Sequence, residues 1–389
     1  MRIIALTSDY PPVIGGIATF VYNLMKQIAS QNHELYVLLL GSFFKQRRLV
    51  PSSEPFSVEC ISLPRRLSSI ILACKLILKV RKYRPDVMFW GHEISSQALA
   101  VWLITTLFSI PNIMLVHGTM LQWYLNHTTR IDRVWAKLAL KSMTLVLVNS
   151  SFTRDKVCLA GANIKCVSVL NPGVDITVFR HNTDAQEVVK RHHLEGKKVV
   201  LSVGRLANRK NFISIIRALP LVRSAVPDLI YLIVGEGPEE HALRREVDHL
   251  RLTPYVTFVG RVADHLLPQY YCACDLAIMP SLSVGNDYEG FGMVYLEANA
   301  CGKPVIAGNA GGTSDAVVHG ETGILVNPES VKEIASAMVM LLTNEQFAKQ
   351  LGDNGRARVE REFAWENIGN QLVTYLEQAI DAKNYKKGQ

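Results

Sequence analysis

Three motifs that would indicate a familiar chemistry are absent from this 389-residue sequence. None of the seven cysteines forms a C-x-x-C pair, and Cys272-Ala-Cys274 has no second pair of ligands, which argues against a zinc site. No D-x-D occurs, and the nearest match is Asp287-Tyr-Glu289. The segment that begins Gly235-Glu-Gly237 lacks the last glycine of the dinucleotide fingerprint G-x-G-x-x-G, which argues against a dehydrogenase. We expect the cysteines to be reduced core thiols of a cytoplasmic protein.

Long apolar runs are also scarce. The run that follows Met1 is too short for a signal peptide and is typical of a first buried strand, so export is not expected. Residues 94–129 contain no Asp, Glu, Lys or Arg, but polar residues interrupt the stretch and Pro111-Asn112 is a turn signal. This stretch predicts a buried helix followed by a strand, Ile113 to Val116, rather than a transmembrane span.

Acidic residues are few in the first half of the chain. Residues 1–180 contain 20 Lys and Arg against 9 Asp and Glu, whereas the remainder contains 22 against 25. The densest basic segment, Arg65 to Arg84, brackets the apolar residues between Leu67 and Leu78. Such a pattern is typical of an amphipathic helix on an anionic membrane surface, and equally of a helix packed on a sheet with a solvated basic face. No known nucleic-acid-binding motif accompanies the charge, so nucleic acid is not an expected partner.

What is present is a regular alternation of short apolar runs and helical segments, which is typical of parallel sheets with helices on both faces. The chain exceeds the usual size of one hydrophobic core, and two sheets of similar size are predicted. The turn Asn171-Pro-Gly-Val-Asp175 and the polar residues 181–196 separate them, so we predict one domain over 1–180 and a second over 181–365. The predicted strands are Ile3 to Thr7, Glu34 to Leu40, Val58 to Ser62, Val87 to Trp90, Ile113 to Val116, Leu145 to Asn149 and Val167 to Leu170 in the first domain, and Lys198 to Val203, Tyr231 to Val234, Val256 to Val259, Leu276 to Met279, Pro304 to Ala307 and Gly323 to Val326 in the second.

Ligands of parallel sheets bind beyond the carboxyl ends of the strands, and three loops there carry suitable residues. Gly15 and Gly16 end a loop before a helix, where backbone can approach a phosphate or a sugar. His117 follows a strand, where it is either structural or in contact with a ligand. Arg205 and Lys210 lie in a glycine-led loop with a third cation, and could neutralise a diphosphate or simply be solvated.

The segment Glu289 to Glu297 carries two carboxylates around a glycine-rich approach to a predicted helix. Gly290 and Gly292 permit close contact with a ligand, and the free amides at the start of a helix favour an anion. In one continuous helix the carboxylates would be about 12 Å apart along the axis, so a loop at Glu289 is needed if both are to serve one ligand. A nucleotide-sugar, with its phosphates in the middle, fits this arrangement; the alternative is a solvated loop followed by a surface helix.

Taken together and in order, these motifs resemble those of the retaining family-four glycosyltransferases of GT-B fold, from Met1 to about Gln378. The matching segments are Gly15-Gly16, His117-Gly118, Asn171-Pro-Gly-Val-Asp175, Gly204-Arg205 with Lys210, Gly235-Glu-Gly-Pro238, Gly260-Arg261, Glu289 to Glu297, Gly302-Lys-Pro304-Val305 and Gly311-Gly312. The resemblance implies an α/β GT-B architecture, in which two Rossmann-like doubly wound parallel-sheet domains face a central cleft. The first would bind the acceptor and the second the nucleotide-sugar, and a C-terminal helix over residues 366–389 would cross back to the first domain.

The resemblance also implies roles for individual residues. Glu289 would face the donor sugar, Glu297 would hold the ribose hydroxyls, and His117 would orient the sugar or the acceptor. Arg205 and Lys210 would bind the diphosphate. The remaining donor-binding residues implied by the resemblance are Gly15, Gly16, Gly235, Arg261, Val262, Phe291, Gly292, Met293 and Val294.

The implied activity is retaining transfer of a hexosyl unit from a nucleotide-sugar to a hydroxyl of a saccharide or lipid-linked acceptor, in cell-surface polysaccharide or glycolipid synthesis. A UDP-hexose is favoured and GDP-mannose is the other candidate. No metal or other cofactor is expected, because Lys, Arg and the helix dipole would replace a cation. The protein is expected in the cytoplasm, either free there or peripherally at the inner face of the membrane. The competing functions are a nucleotide-sugar epimerase of the same fold and a non-catalytic nucleotide-sugar-binding assembly protein.

Overall fold

The computed structural model describes residues 1–13, 15–40, 54–61, 68–91, 98–118, 130–285 and 287–387, without the side chains of residues 68, 132 and 384–387. The chain divides into two compact units. The first contains Met1–Pro172 together with the chain from Trp365 onward, and the second contains Gly173–Ala364. Within the described ranges, no helix is both long and apolar enough to cross a membrane.

The first unit is built on a seven-stranded parallel sheet of order β3-β2-β1-β4-β5-β6-β7. Its central strands are buried on both faces, which is why they consist of continuous apolar runs. The strands are β1 Arg2–Thr7, β2 Glu34–Leu40, β3 Ser57–Ile61, β4 Val87–Trp90, β5 Asn112–Val116, β6 Leu145–Val148 and β7 Val167–Val169. The helices between them are α1 Gly16–Ser30, α2 Ser68–Tyr83, α3 Ala98–Phe108, α4 Arg130–Ser142 and α5 Ser151–Leu159.

The second unit repeats this plan with a six-stranded parallel sheet of order β10-β9-β8-β11-β12-β13. The strands are β8 Lys198–Val203, β9 Leu229–Val234, β10 Val256–Gly260, β11 Leu276–Met279, β12 Val305–Gly308 and β13 Ile324–Val326. The helices are α6 Gln186–Arg191, α7 Phe212–Ala225, α8 Glu240–His249, α9 Leu267–Ala273, α10 Met293–Ala300, α11 Thr313–Ala316, α12 Val331–Thr343 and α13 Glu345–Arg358. The strand order reverses between β8 and β11, and such a switch point is where doubly wound sheets bind ligands.

The last helix, α14 Trp365–Lys387, belongs to the first unit although it follows the second in sequence. It packs against α1, where the Trp365 and Phe20 ring centroids are 6.0 Å apart. The approach is close, because a Cβ on Gly369 would lie 2.6 Å from the Cβ of Gln27. The helix that the resemblance placed over residues 366–389 is therefore confirmed as far as Lys387.

The boundary between the units lies earlier than residue 180. Val174 forms a bridge with Ala364, Cys272 Sγ contacts the carbonyl of Arg180 at 3.1 Å, and Arg356 donates to the carbonyl of Phe179 at 2.9 Å. These contacts attach residues 173–180 to the second unit. The polar stretch that suggested the boundary is thus already part of the second unit.

The predicted strands match the observed ones closely, and the uncharged stretch forms α3 and β5 as expected. Four predictions fall partly outside the described residues: Ser62 of the third strand, residues 65–67 of the basic segment, residues 94–97 and 119–129 of the uncharged stretch, and residues 388–389 of the C-terminal helix. The seven cysteines are free, as expected. They are not all core thiols, however, because Cys74 is exposed and only Cys274 and Cys301 are buried.

Candidate active site

The loop after β8 holds its cations in place through one buried asparagine. A 3₁₀ turn, Asn208–Lys210, ends at Asn211, whose φ of 58° is left-handed, a conformation that Asn adopts more readily than most residues. Its Nδ2 donates to the carbonyls of Pro280 and Pro328 at 3.0 and 2.7 Å. The loop is therefore fastened to the chain that follows β11, on the other side of the switch point.

Three donors from these two loops converge on one oxygen of Glu289. Lys210 Nζ, Arg209 Nη1 and Ser281 Oγ lie 2.5, 2.8 and 3.2 Å from Oε2. The Glu289 side chain is only 11% exposed. Burial alone would raise the pKa of Glu289, but the charges of Lys210 and Arg209 outweigh it and hold the pKa below its ordinary value. Glu289 is thus an ionised carboxylate at neutral pH, and its Oε1 accepts no hydrogen bond from the described residues.

The backbone of Glu289 is fixed by the glycine pair that follows β12. The amide of Gly312 donates to the carbonyl of Glu289 at 2.8 Å. Gly311 has a φ of 64°, and a Cβ there would lie 2.4 Å from the same oxygen. Gly311 and Gly312 therefore fix the position of Glu289 by contacting its backbone carbonyl.

Glu289 lies in a loop and Glu297 lies inside a helix, which is the arrangement needed if both carboxylates are to serve one ligand. Gly292, with a φ of 99°, precedes the first residue of α10, and a Cβ there would lie 2.3 Å from the Tyr295 ring. Phe291 and Gly292 are buried, whereas Met293 and Val294 are partly exposed. The first amides of a helix have no partners within it, so those at the start of α10 can meet an anion.

Glu297 has different surroundings from Glu289. Its Oε2 accepts a hydrogen bond of 2.7 Å from the hydroxyl of Tyr271, on α9. Burial is the main cause that raises the pKa of Glu297 to about 6, and the charge of Asp264 adds to it, whereas Tyr271 and Lys210 oppose it. Lys210 therefore acts electrostatically on both carboxylates.

Arg205, the other cation expected at the diphosphate, is exposed, and its side chain has neither a hydrogen bond nor an ion pair with any described residue. It follows Gly204 at the end of β8. There Gly235 has a φ of 134°, and a Cβ on it would lie 1.9 Å from the carbonyl oxygen of Gly204. The amide of Gly235 donates to the carbonyl of Gly260 at 2.8 Å. The ends of β8, β9 and β10 thus approach one another closely through their backbones.

Arg261 and Val262 continue directly from this meeting point. The Arg261 side chain is exposed and Val262 is partly exposed. Both are free to contact a ligand at the carboxyl edge of the second sheet, which is where the resemblance expects the base and the ribose.

Three predicted residues belong to the first unit. Gly15 and Gly16 are exposed and begin α1. His117 is buried at the end of β5, with its ring centroid 5.8 Å from that of Phe20, on α1. The first unit thus brings its two predicted loops together, and the other eleven predicted residues lie in the second unit.

The structure adds three residues to which the sequence assigned no role. Arg209 was recognised only as a third cation of its loop, yet it contacts both Glu289 and Asp287, its Nε lying 3.0 Å from Asp287 Oδ1. Ser281 had a usable signal, since it follows β11 at the switch point. Tyr271 had none, because nothing in its helix points to Glu297. No group of three or more His, Cys, Asp or Glu side chains in the described chain is arranged to hold a metal ion.

Comparisons with known proteins bear on the family of the chain and not on the roles of its site residues. The family model "Glycosyltransferase Family 4" matches residues 14–178, and the model "Glycosyl transferases group 1" matches residues 184–358. A GDP-mannose-dependent alpha-(1-6)-phosphatidylinositol monomannoside mannosyltransferase of Mycobacterium tuberculosis is 36% identical over 230 residues, which cover 58% of this chain and 60% of that protein. A protein of the same description from Mycolicibacterium smegmatis is 28% identical over 386 residues, covering 97% and 99%.

Solved structures show the same fold. The crystal structure of Anabaena Alr3699/HepE in complex with UDP superposes with a TM-score of 0.80 at 23% identity, covering 97% of this chain and 100% of that one. At that identity the likeness shows the fold alone. The two family models together account for most of the chain, and both sheets have the doubly wound order of this fold. The chain belongs to glycosyltransferase family 4 and has the GT-B fold.

Proposed function

We propose that the protein transfers a hexosyl unit from a nucleoside-diphosphate sugar to a hydroxyl of a saccharide or lipid-linked acceptor. The observation that carries this proposal is the arrangement at Glu289. Two cations and a hydroxyl hold one oxygen of an ionised, buried carboxylate, while the other oxygen is left to a ligand. In this proposal Glu289 Oε1 accepts a hydrogen bond from a hydroxyl of the donor sugar.

Charge on the departing diphosphate would be balanced by the protein itself. Lys210 and Arg205 supply cations, and the start of α10 supplies amides and the positive end of a helix dipole. An exposed Arg205 without a partner among the described residues is available for bidentate binding of phosphate. These groups would perform the task that a metal ion performs elsewhere, so we propose that transfer needs no metal.

Transfer would proceed with retention, as in the family that the motifs resemble. The bond between the anomeric carbon and the phosphate oxygen breaks, the acceptor oxygen bonds to that carbon from the same face, and the acceptor proton passes to the leaving phosphate. Glu297 holds the ribose hydroxyls and His117 orients the sugar or the acceptor. His117→Ala should then lower turnover by orders of magnitude, whereas near-normal transfer by that variant would remove His117 from the proposal.

The proposal also names the base and the sugar of the donor. The sequence alone favoured a UDP-hexose, but the relatives at 36% and 28% identity are described as GDP-mannose-dependent, which supports GDP-mannose. The same relatives are described as phosphatidylinositol monomannoside mannosyltransferases, which supports a lipid-linked acceptor and, with it, a place for the protein at a membrane surface.

A thermal-shift panel of GDP, UDP, GDP-mannose and UDP-glucose tests the donor directly. A ligand at about 100 times its Kd should add about 2.7 kcal/mol to the free energy of unfolding. Arg205→Gln should reduce stabilisation by GDP and UDP, while Arg245→Gln, which changes an exposed arginine of α8, should leave it unchanged. The absence of stabilisation by any of the four ligands would contradict the proposal.

Product analysis distinguishes glycosyl transfer from the two competing functions. Incubation with donor and a lipid-linked mannoside should yield a product whose anomeric configuration, read by NMR, is that of the donor. Isomerised donor in the absence of acceptor would indicate an epimerase. Binding of donor without turnover of either substrate would indicate a non-catalytic binding protein.

A further inference from the structure

Three of the seven cysteines lie close together beside the helix that carries Glu297. Cys272 lies on α9, Cys274 follows the end of that helix, and Cys301 follows the end of α10. Two of them are joined directly to the surroundings of Glu297. Cys272 follows Tyr271 in sequence, and the amide of Cys301 donates to the carbonyl of Glu297 at 3.2 Å. A change at these two thiols would therefore act on the elements that position Glu297.

Cys272 and Cys301 form a hydrogen-bonded pair of thiols, in which Cys301 donates to the sulfur of Cys272. The two side chains differ in their access to solvent. Cys272 is partly exposed, whereas Cys301 is only 1% exposed. A partly exposed thiol with a second thiol directly behind it is the arrangement of a reactive cysteine and its resolving partner.

The surroundings of Cys272 favour its thiolate. The hydrogen bond from Cys301, the charge of Lys303 and hydrogen bonds from the backbone and side chain of Thr183 lower the pKa of Cys272, and they outweigh burial, which opposes them. The hydrogen bond to Cys272, together with burial, raises the pKa of Cys301. Cys272 is therefore the member of the pair that ionises first. In its thiol form it donates instead to the carbonyl of Arg180 at 3.1 Å.

Cys274 has a different environment and serves as an internal comparison. Its Sγ donates to the carbonyl of Tyr271 at 3.2 Å, and the residue is only 2% exposed. Burial raises the pKa of Cys274 to about 12. A buried thiol that stays protonated is a poor nucleophile, so Cys274 is not expected to react.

We propose that Cys272 and Cys301 are a peroxide-sensitive thiol pair that closes into an intramolecular disulfide and thereby weakens nucleotide binding. The Cys272 thiolate attacks one oxygen of hydrogen peroxide, the O–O bond breaks, and the hydroxide that leaves takes up a proton to become water. The sulfur of Cys301 then attacks the sulfenic acid on Cys272, the S–O bond breaks, and the second hydroxide leaves as water with the proton of Cys301. Two thiols are oxidised to one disulfide, and one peroxide is reduced to two waters.

The disulfide would reach the nucleotide through α9 and α10. A disulfide fixes the separation of its two Cβ atoms, so its closure moves the ends of these helices relative to each other. The 2.7 Å hydrogen bond from Tyr271 to Glu297 joins the same two helices. Only this effect on binding rests on the proposed function, because the oxidation of the thiol pair needs no nucleotide.

Thiol counting after peroxide treatment tests the oxidation. The full-length reduced protein is treated with a small excess of hydrogen peroxide, and its free thiols are titrated in denaturant. They should fall by two from the seven of the reduced chain. Cleavage after glutamate should then leave the peptide that contains Cys272 joined to the peptide that begins at Ala298. Dithiothreitol should restore all seven thiols.

Titration calorimetry with GDP and with UDP tests the consequence for the donor site. The oxidised protein should bind about tenfold more weakly than the reduced protein, the effect expected when one hydrogen bond to a charged group is disturbed. Reduction should restore the affinity. A reduced protein that binds neither nucleotide would contradict the proposed function, and the thiol counts would still test the pair.

Variants of single cysteines identify the residues that react. Cys272→Ser should lose no thiols to peroxide, and Cys301→Ala should form no disulfide but should trap a sulfenic acid on Cys272, which dimedone labels. Both variants should keep their nucleotide affinity in peroxide to within about twofold, since neither can form the disulfide. The matched controls Cys74→Ser, at an exposed thiol of the first unit, and Cys274→Ala should each still lose two thiols.

Three results would overturn the proposal. One is a peroxide-treated protein that keeps all seven thiols. Another is a loss of two thiols that persists in Cys301→Ala or in Cys272→Ser, because the disulfide would then join other residues. The third is a disulfide between Cys272 and Cys301 that leaves the affinity for the nucleotide unchanged.

Discussion

Glu289 and Glu297 lie eight positions apart in the sequence, yet their surroundings move their pKa values in opposite directions. Burial raises the pKa of both, but only Glu289 has two cations within hydrogen-bonding distance. Two carboxylates with such different pKa values are suited to different tasks. We assign Glu289 to the transfer step and Glu297 to binding of the donor.

Glu289→Gln should lower kcat about 10²- to 10³-fold, because the side chain keeps its shape but loses the charge that faces the reacting sugar. Affinity for the nucleoside diphosphate should change little or rise, since Lys210 and Arg209 lose their anion. Steady-state kinetics and a binding titration measure the two effects.

The matched control for this change is Asp287→Asn. Asp287 also contacts Arg209, but its side chain is exposed, so its loss should leave kcat within about twofold, as expected for an exposed ion pair. A Glu289→Gln variant that transfers sugar at the normal rate would contradict the assignment.

Glu297 should make stability depend on pH near 6. Its pKa rises from 4.5 to about 6 in the folded protein, so protonation favours folding; the gain is complete below pH 4.5 and is lost as the pH rises through 6. We compare the free energy of unfolding of Glu297→Gln with that of the unaltered protein. Between pH 4.5 and pH 8 this difference should shift in favour of the variant by at most about 2 kcal/mol. Urea denaturation at both pH values measures the difference. A difference that does not change with pH would contradict the raised pKa.

At the scale of secondary-structure elements, the donor site depends on strand ends that approach through glycine. Gly235→Ala should destabilise the second unit by about 2–5 kcal/mol, because its Cβ would overlap the Gly204 carbonyl and its φ is positive. The transition of the second unit in urea reports the change.

The variant Gly196→Ala separates the cost of a positive φ from the cost of the steric overlap. Gly196 also has a positive φ, of 67°, but a Cβ there would meet open space. This variant should lose only about 1–2 kcal/mol, the cost of a left-handed backbone. Equal losses at Gly196 and Gly235 would show that the close approach at Gly235 is unimportant.

The sequence predicted the strands well and the side-chain partnerships poorly, and the reason is physical. A buried parallel strand is apolar over its whole length, so β4 and β12 are visible as local runs. The partners of Glu289 and Glu297 come from positions far along the chain and depend on the packing of whole elements. Arg209 was visible as a charge, but its pairing with Glu289 requires the strand order. The roles of the predicted site residues stay predictions.

At the scale of the whole molecule, the two units differ in how they are made from the chain. The second is one continuous segment, whereas the first needs α14. Ile368, Leu372 and Leu376 of that helix are buried. Their packing makes the last helix part of the first unit's core.

Truncation after Ala364 should therefore affect the units unequally. The first unit should lose its cooperative unfolding transition, because removal of α14 exposes the apolar side of α1. The second unit should keep its transition and its stabilisation by nucleotide. Calorimetry with and without nucleotide distinguishes the two, and a truncated protein that retains both transitions would contradict this view.

Because α14 belongs to the first unit, the second unit is completed before the first during synthesis on the ribosome. The second unit can fold as soon as Ala364 has left the exit tunnel, whereas the first, though synthesised earlier, waits for residues made after the second is finished. At usual elongation rates the 192 residues between the two parts of the first unit take roughly 10 to 40 s. During that interval the nascent first unit lacks the packing of its last helix, so we expect the apolar side of α1 to stay exposed until residues 365–387 have been made.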